Sequence, residues 1–280
     1  MAHSKTRASE SKNAVEAEFI GGWEMQKSQY GAGNLQGVNH IVSKIAKAVL
    51  ALGLTGVSMS TALGHDPIDV NANVFPWSSV GKIYNSARSS CTGSLIAPDK
   101  ILTAAHCLFN RATHRFLQAE SLHFLLGYKG GEYRTHVRVA RYLIGSDYSP
   151  EDTTGASILA DWAILTLAEQ AGIESTPLPV TETAPVAGER IMVGGFSQKY
   201  PFKMTADTDC RVRGTMPNGL ILHDCAVMHG ISGAPLLKGA AETNVQIIGL
   251  HVATGELMGL PVGFAVPVSS FAQHPSSPNQ

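Results

Sequence analysis

Charge is scarce in this chain of 280 residues: Asp, Glu, Lys and Arg together make up 15%, and 21 cationic against 22 anionic side chains leave a formal net charge of −1. Nucleic-acid binding draws on a basic stripe or patch that neutralises phosphates, so a DNA or RNA partner is not expected. Cysteine is sparse too. Four residues are too few for a disulfide-dense miniprotein, although an even number suits two bridges in an ordinary secreted domain. No internal period marks a solenoid or propeller, and the absence of long segments with helical periodicity argues against a bundle or coiled coil. Long apolar runs are also missing. The first uncharged stretch, Ala48 to Leu63, contains Gly, Ser and Thr and falls short of the roughly 20 apolar residues that span a bilayer, so no stable membrane anchor is expected.

The chain does have 44% hydrophobic residues, 28 Gly and 14 Pro, a composition that fits a β-rich globular protein and excludes disorder over most of its length. Residues 48–57, AVLALGLTGV, follow Lys44 and Lys47 and precede the small residues Ala62 and Gly64. This is the pattern of a secretory signal with a cut near His65. Residues 1–64 therefore read as a polar extension plus an export signal, with Met25 as an alternative start, and the product as secreted or periplasmic. From His65 onward, short runs bounded by turn residues follow one another: 78–85, 93–98, 101–106, 122–128, 135–144, 162–168, 190–196, 219–225, 245–253 and 262–268. Their length and β-branched content indicate strands of a sandwich or a pair of barrels, with one short helical turn at Ala104–Leu108. The Pro- and Gly-rich stretch 173–189 reads as a crossing between a first unit, 65–172, and a second, 190–271. Residues 272–280 read as a loose tail.

Three segments carry the chemistry. The first is CTGSLIAPDKILTAAHC, Cys91 to Cys107; the second is DWAIL, starting at Asp161; the third is GISGAP, Gly230 to Pro235. Together, and in this order, they resemble the histidine, aspartate and serine segments of trypsin-like serine proteases over about 200 residues. The resemblance implies two antiparallel six-stranded β-barrels with the active site in the cleft between them. It also implies a monomeric serine endopeptidase acting on protein or peptide substrates without a cofactor. The residue types fit this chemistry on physical grounds. A serine hydroxyl is a poor nucleophile unless a base accepts its proton, and an imidazole, with an ordinary pKa of about 6.5, can take and return that proton. His106 fills that role for Ser232, Asp161 would fix the imidazole tautomer, and the amides of Gly230 and Ser232 are the candidate oxyanion donors.

Simpler readings exist for each residue. His106 could be an ordinary half-buried histidine, Ser232 a polar residue in a glycine turn, and Asp161 a strand cap, with Asp99, Asp147 and Asp152 as rivals for its place. From another functional class, the same scaffold could serve as a catalytically silent binding or adhesion protein. A third reading, a periplasmic protein-quality factor, lacks the sequence for an appended peptide-binding domain. Four cysteines admit three pairings. The family spacing supports Cys91 with Cys107, and Cys210 with Cys225 resembles the arrangement in bacterial secreted members. A zinc site using Cys107 beside His106, or Cys225 beside His223, matches no common ligand spacing.

The chain departs from the digestive enzymes at Ile231, where they place an aspartate that pairs with a freshly cut N-terminus. It resembles bacterial glutamyl endopeptidases in this respect and in the segment containing His251. For the substrate residue preceding the scissile bond, Ala226 at the pocket base argues against basic side chains. His251 favours Glu or Asp, whereas Val227, standing where those enzymes have a threonine hydroxyl, favours a small or medium apolar residue.

Overall fold

The computed structural model describes residues 66–85, 90–168, 175–240 and 243–272. The proposed export signal and most of the tail lie outside the described residues. The described residues form fifteen strands: β1 (Ile68–Asp69), β2 (Val80–Asn85), β3 (Ser90–Ala97), β4 (Lys100–Thr103), β5 (Phe109–Asn110), β6 (Arg115–Phe116), β7 (Leu122–Leu126), β8 (Thr135–Ile144), β9 (Ala163–Leu167), β10 (Arg190–Gly195), β11 (Thr205–Thr215), β12 (Ile221–His223), β13 (Pro235–Ala240), β14 (Thr243–Leu257) and β15 (Leu260–Pro267). One short helix, α1 (Gly155–Leu159), precedes β9.

Strands β2-β3-β4-β9-β8-β7 close into the first barrel. The second runs β11-β10-β13-β14-β15-β12 and closes through the β11–β12 pair. The tiny strand β1 adds to the outer side of β11, so residues 68–69 join the second barrel although they precede the first in the chain.

Alternation along the strands explains the closure. In β8, Val137 and Val139 are buried while His136, Arg138 and Ala140 face solvent, the period of two that places one face in a core. Ile83, Leu95, Ile101, Leu122, Phe124 and Leu165 fill the first barrel, each at most 1% exposed. Ile191, Val193, Val212, Ile221, Leu236 and Ile248 form a separate cluster in the second. The larger apolar cluster continues from the first barrel through Phe196, Leu237, Ile247 and Leu250, so the barrels share a core rather than merely touch.

Polar contacts fix how the barrels meet. Thr92 of β3 is fully buried and makes three hydrogen bonds. Its N–H donates to the Ser232 carbonyl at 2.9 Å, its carbonyl accepts from the Thr103 hydroxyl at 2.7 Å, and its hydroxyl accepts from the Phe196 N–H at 3.0 Å. Gly195 packs so closely on Thr92 that a Cβ there would overlap the threonine side chain. Beside this seam, Lys82 of the first barrel donates to the Pro201 carbonyl at 2.7 Å with its ammonium over the Tyr128 ring. Burial holds that amine below the ordinary lysine range.

Both disulfides are local and formed, Cys91–Cys107 and Cys210–Cys225. Each closes a loop of about 15 residues, worth up to about 3 kcal/mol in the chain-entropy model. Thr92→Val keeps the shape of the seam but strands the buried Phe196 N–H, which costs about 1–3 kcal/mol. A fall in thermal midpoint of roughly 2–4 °C for each kcal/mol is expected, and an unchanged midpoint by calorimetry would show that this hydrogen bond is replaced.

Candidate active site

His106 lies on the 3-10 turn Ala105–Leu108 that follows β4, and the Cys91–Cys107 bridge ties that turn back to β3. Asp161 follows α1, immediately before β9, and is 8% exposed. Its two carboxylate oxygens are both engaged by one residue: Oδ1 accepts the His106 backbone N–H at 2.8 Å and Oδ2 meets His106 Nδ1 at 2.7 Å. A carboxylate can only accept here, so Nδ1 carries the proton and the lone pair is left on Nε2. The double contact fixes the imidazole both at its backbone and at its ring. Asp99, Asp147 and Asp152 make no such contact. Asp99 pairs with Lys100, and Asp152 caps its own turn at Thr154.

Ser232 sits in the turn between β12 and β13. Gly230 and Gly233 have φ of +97° and +83°, conformations that disfavour a side chain. At Gly233 a Cβ would in addition collide with the Thr92 carbonyl and the Thr103 hydroxyl. The amides alternate in use. Ile231 N–H donates to the Met228 carbonyl and Gly233 N–H to the His251 carbonyl, whereas the amides of Gly230 and Ser232 have no partner among the described residues. The His229 carbonyl accepts from the Gln198 N–H at 2.7 Å. That bond turns the carbonyl away and leaves the N–H of the same peptide, on Gly230, facing the opposite side. Two unpaired, neighbouring amides are the arrangement that an oxyanion site requires.

His106, Asp161, Ser232 and His251 line one cleft of about 390 Å³. Ala226 and Val227 are not among its lining residues. The Ala226 N–H instead donates to Asp207 Oδ2 at 2.8 Å, and Val227 packs on the core of the second barrel. Reasoning from sequence had missed Arg111, Tyr148, His229 and Val252–Thr254, which also line the cleft, and the buried Asp207 beneath Ala226. The cleft residues lie in loops or along β14 and Asp207 on β11, where no local pattern distinguishes them. Burial first, then the charge of Asp161, raises the Tyr148 phenol against a smaller opposing effect of Arg111, so that it remains a hydrogen-bond donor.

His251 is 2% exposed at the cleft. Its Nδ1 contacts His223 Nε2 at 3.1 Å. His223 is fully buried, and its Nδ1 has no partner. Burial pushes His223 down to about 4, against a smaller opposing effect of Asp224. Burial, His223 and His106 together hold His251 well below the ordinary histidine range. Both rings are therefore neutral at neutral pH. The cysteines that adjoin histidines are oxidised, so the cluster of Cys91, His106 and Cys107 has no thiolate to offer a zinc ion.

Two six-stranded barrels sharing one cleft define the chymotrypsin class of fold. The trypsin family model matches residues 68–274, and the chain belongs to that family of serine peptidases. It is 28% identical to the mouse (Mus musculus) kallikrein 1-related peptidase b3, in an alignment that covers 64% of this chain and 69% of the relative. Its fold is similar to the solved structure of a Glu endopeptidase, with a TM-score of 0.64 at 23% identity, covering 75% of this chain and 95% of the other.

The histidine pair sets a pH dependence. The unfolded chain takes up protons on these rings below about pH 6.5, while folded His223 resists protonation until about 4. Their contribution to stability is thus complete above about pH 6.5 and is lost as pH falls toward 4, at up to about 1.4 kcal/mol per pH unit for each ring. Urea unfolding at pH 7 and at pH 5 should show the lower midpoint at pH 5. His223→Phe should flatten the difference, and an equal slope in that variant would contradict the assignment.

Proposed function

We propose that the chain is a serine endopeptidase in which Ser232 is the nucleophile, His106 the general base and Asp161 the residue that holds the imidazole tautomer. The observation that carries this reading is the two-point grip of Asp161 on His106 in a cleft that also contains Ser232. His106 Nε2 takes the Ser232 proton as Oγ attacks the scissile carbonyl. The developing oxyanion is received by the amides of Gly230 and Ser232. His106 then gives the proton to the departing amine, leaving an acyl-enzyme that water hydrolyses by the same route. Among the described residues the Ser232 hydroxyl forms no hydrogen bond, and nucleophile–base contacts are often long before substrate binds.

Secretion is part of the same reading. It is supported by the signal-like segment 48–57 and by two disulfides, which persist in oxidising compartments. The two barrels are the units that carry the site, His106 and Asp161 from the first and Ser232 from the second.

For the substrate residue before the scissile bond, the histidine pair favours an acidic side chain. A buried N–H without a partner is rarer than a buried acceptor without one. The unpartnered Nδ1 of His223 is therefore the acceptor, His223 Nε2–H donates to His251 Nδ1, and His251 is left with Nε2–H to offer. A neutral donor suits a carboxylate or carboxyl group.

Ser232→Ala should abolish covalent labelling by a fluorophosphonate and lower peptide hydrolysis by several orders of magnitude, and Asp161→Asn by about 10³–10⁴-fold. Retention of a tenth of the wild-type rate in Ser232→Ala would rule out the serine mechanism. In a peptide-library profile, His251→Phe should erase the preference for Glu over apolar residues, and an unchanged profile would remove the acidic assignment.

A further inference from the structure

On the outer face of the first barrel, away from the cleft, two histidines of adjacent strands meet. His123 on β7 and His136 on β8 bring Nδ1 of the first and Nε2 of the second to 2.7 Å, with ring centroids 4.9 Å apart. They are not directly opposite in the ladder, since His123 pairs with Arg138 and His136 with Leu125; they meet on the diagonal, within reach of long side chains. Tyrosines flank the pair. Tyr84, which pairs with His123 from β2, lies 6.5 Å from its ring, and Tyr133 stands edge-on to His136 at 5.3 Å. The two imidazoles already face one another, so less side-chain freedom has to be lost on binding.

We propose that His123 and His136 form a two-imidazole chelate for a divalent transition-metal ion of the nickel, copper and zinc group. None of these residues lines the catalytic cleft, so the site is separate from the peptidase chemistry. The donor set selects the ion. Imidazole nitrogen suits nickel, copper and zinc, whereas calcium and magnesium demand several oxygens, and among the described residues no carboxylate joins this pair in a ligand cluster. The geometry is near what an ion needs. Metal–nitrogen bonds of about 2.0–2.1 Å at a tetrahedral angle place the two nitrogens about 3.3 Å apart, so the rings must part by only a few tenths of an ångström, and water completes the coordination.

The proton inventory also closes. One of the two facing nitrogens now carries the shared hydrogen; on metal binding that hydrogen moves to the other nitrogen of its own ring, and neither ring has to lose a charge. Burial first, then the neighbouring charges of His136 and Arg138, holds His123 below the ordinary histidine range, which keeps its lone pair available at neutral pH. Arg138 is an unfavourable neighbour, its positive charge repelling a dication across solvent.

The test is calorimetric titration of the full chain with Ni2+ or Zn2+ alone at pH 7.5, with Ca2+ as the control. One equivalent should bind, and Ca2+ should not compete. His136→Ala and His123→Ala should each weaken binding by roughly 10²-fold, because the second imidazole acts at high effective concentration, and Arg138→Gln should tighten it. His136 is exposed, so its removal leaves the barrel core intact. Equal affinity in the wild type and in His136→Ala, or displacement by Ca2+, would overturn the proposal, whatever the peptidase activity proves to be.

Discussion

The site depends first on Thr92. Its N–H, carbonyl and hydroxyl each hold a different segment: the Ser232 turn, the end of β4 that leads into the His106 turn, and the start of the loop after β10. Ser232 and His106 belong to different barrels, so their separation would otherwise follow the sum of many small packing errors. One fully buried residue bonded to both sides removes that freedom. The glycines at 195 and 233 are what allow it, because any side chain there would push the seam apart. Proximity contributes to rate only when the reacting groups are held within a few tenths of an ångström, and a seam of close-packed backbone is stiffer than any loop.

Behind the cleft, polar groups are treated unequally. Asp161 is almost completely buried, but both of its oxygens have donors on His106, so its charge is compensated at the place where it can orient the ring. Asp207, similarly buried, receives the amides of Ala226 and Asp209 and thereby holds the strand end next to Ala226. His223 is the exception, with a ring nitrogen left without a partner at a cost of about 1–3 kcal/mol. Gly263 passes so close to the His223 ring that a Cβ would overlap it, which explains how the imidazole is walled in. A fold tolerates such a cost where function uses it, and here the pair ends at the cleft.

Much of this was legible in the sequence, for identifiable reasons. The strand at 135–144 agreed to the residue because its first half alternates, up to the register shift between Val139 and Arg141. The helical turn at the His106 segment was readable locally, whereas both cysteine pairings followed from the resemblance to trypsin-like proteases, since four cysteines alone admit three pairings. Five strands escaped, three of which, β1, β5 and β6, are only two residues long; the other two are β11 and β13. β11 carries Asp207, Asp209, Arg211 and Arg213 among small and polar residues, so its buried apolar positions, Ala206, Cys210 and Val212, do not make an apolar run. β13 begins at Pro235, a residue that demotes a strand call. The cleft walls were hidden for another reason. Arg111, Tyr148 and His229 come from segments far apart in the chain, and only closure of the barrels brings them to one cavity. The histidine pair was half visible: His251 stood in a suggestive segment, but its partner His223, 28 residues away, is set by register between β12 and β15.

Ile231 shows how the Ser232 turn is kept in order. Where an aspartate would require a charged partner brought from elsewhere, this chain buries an apolar side chain, 3% exposed, in the same cluster as Ile191, Val193 and Leu236. Its N–H closes the turn onto the Met228 carbonyl. Meanwhile residues 68–69 are spent on an exposed edge pairing with β11, fastened by the Lys203–Asp69 ion pair, and do not reach the turn. Apolar burial has no ionisation step and is little screened by salt, unlike an exposed ion pair. The order of the turn is therefore coupled to the core of the second barrel itself. Once that barrel has folded, the unpaired amides of Gly230 and Ser232 are in place.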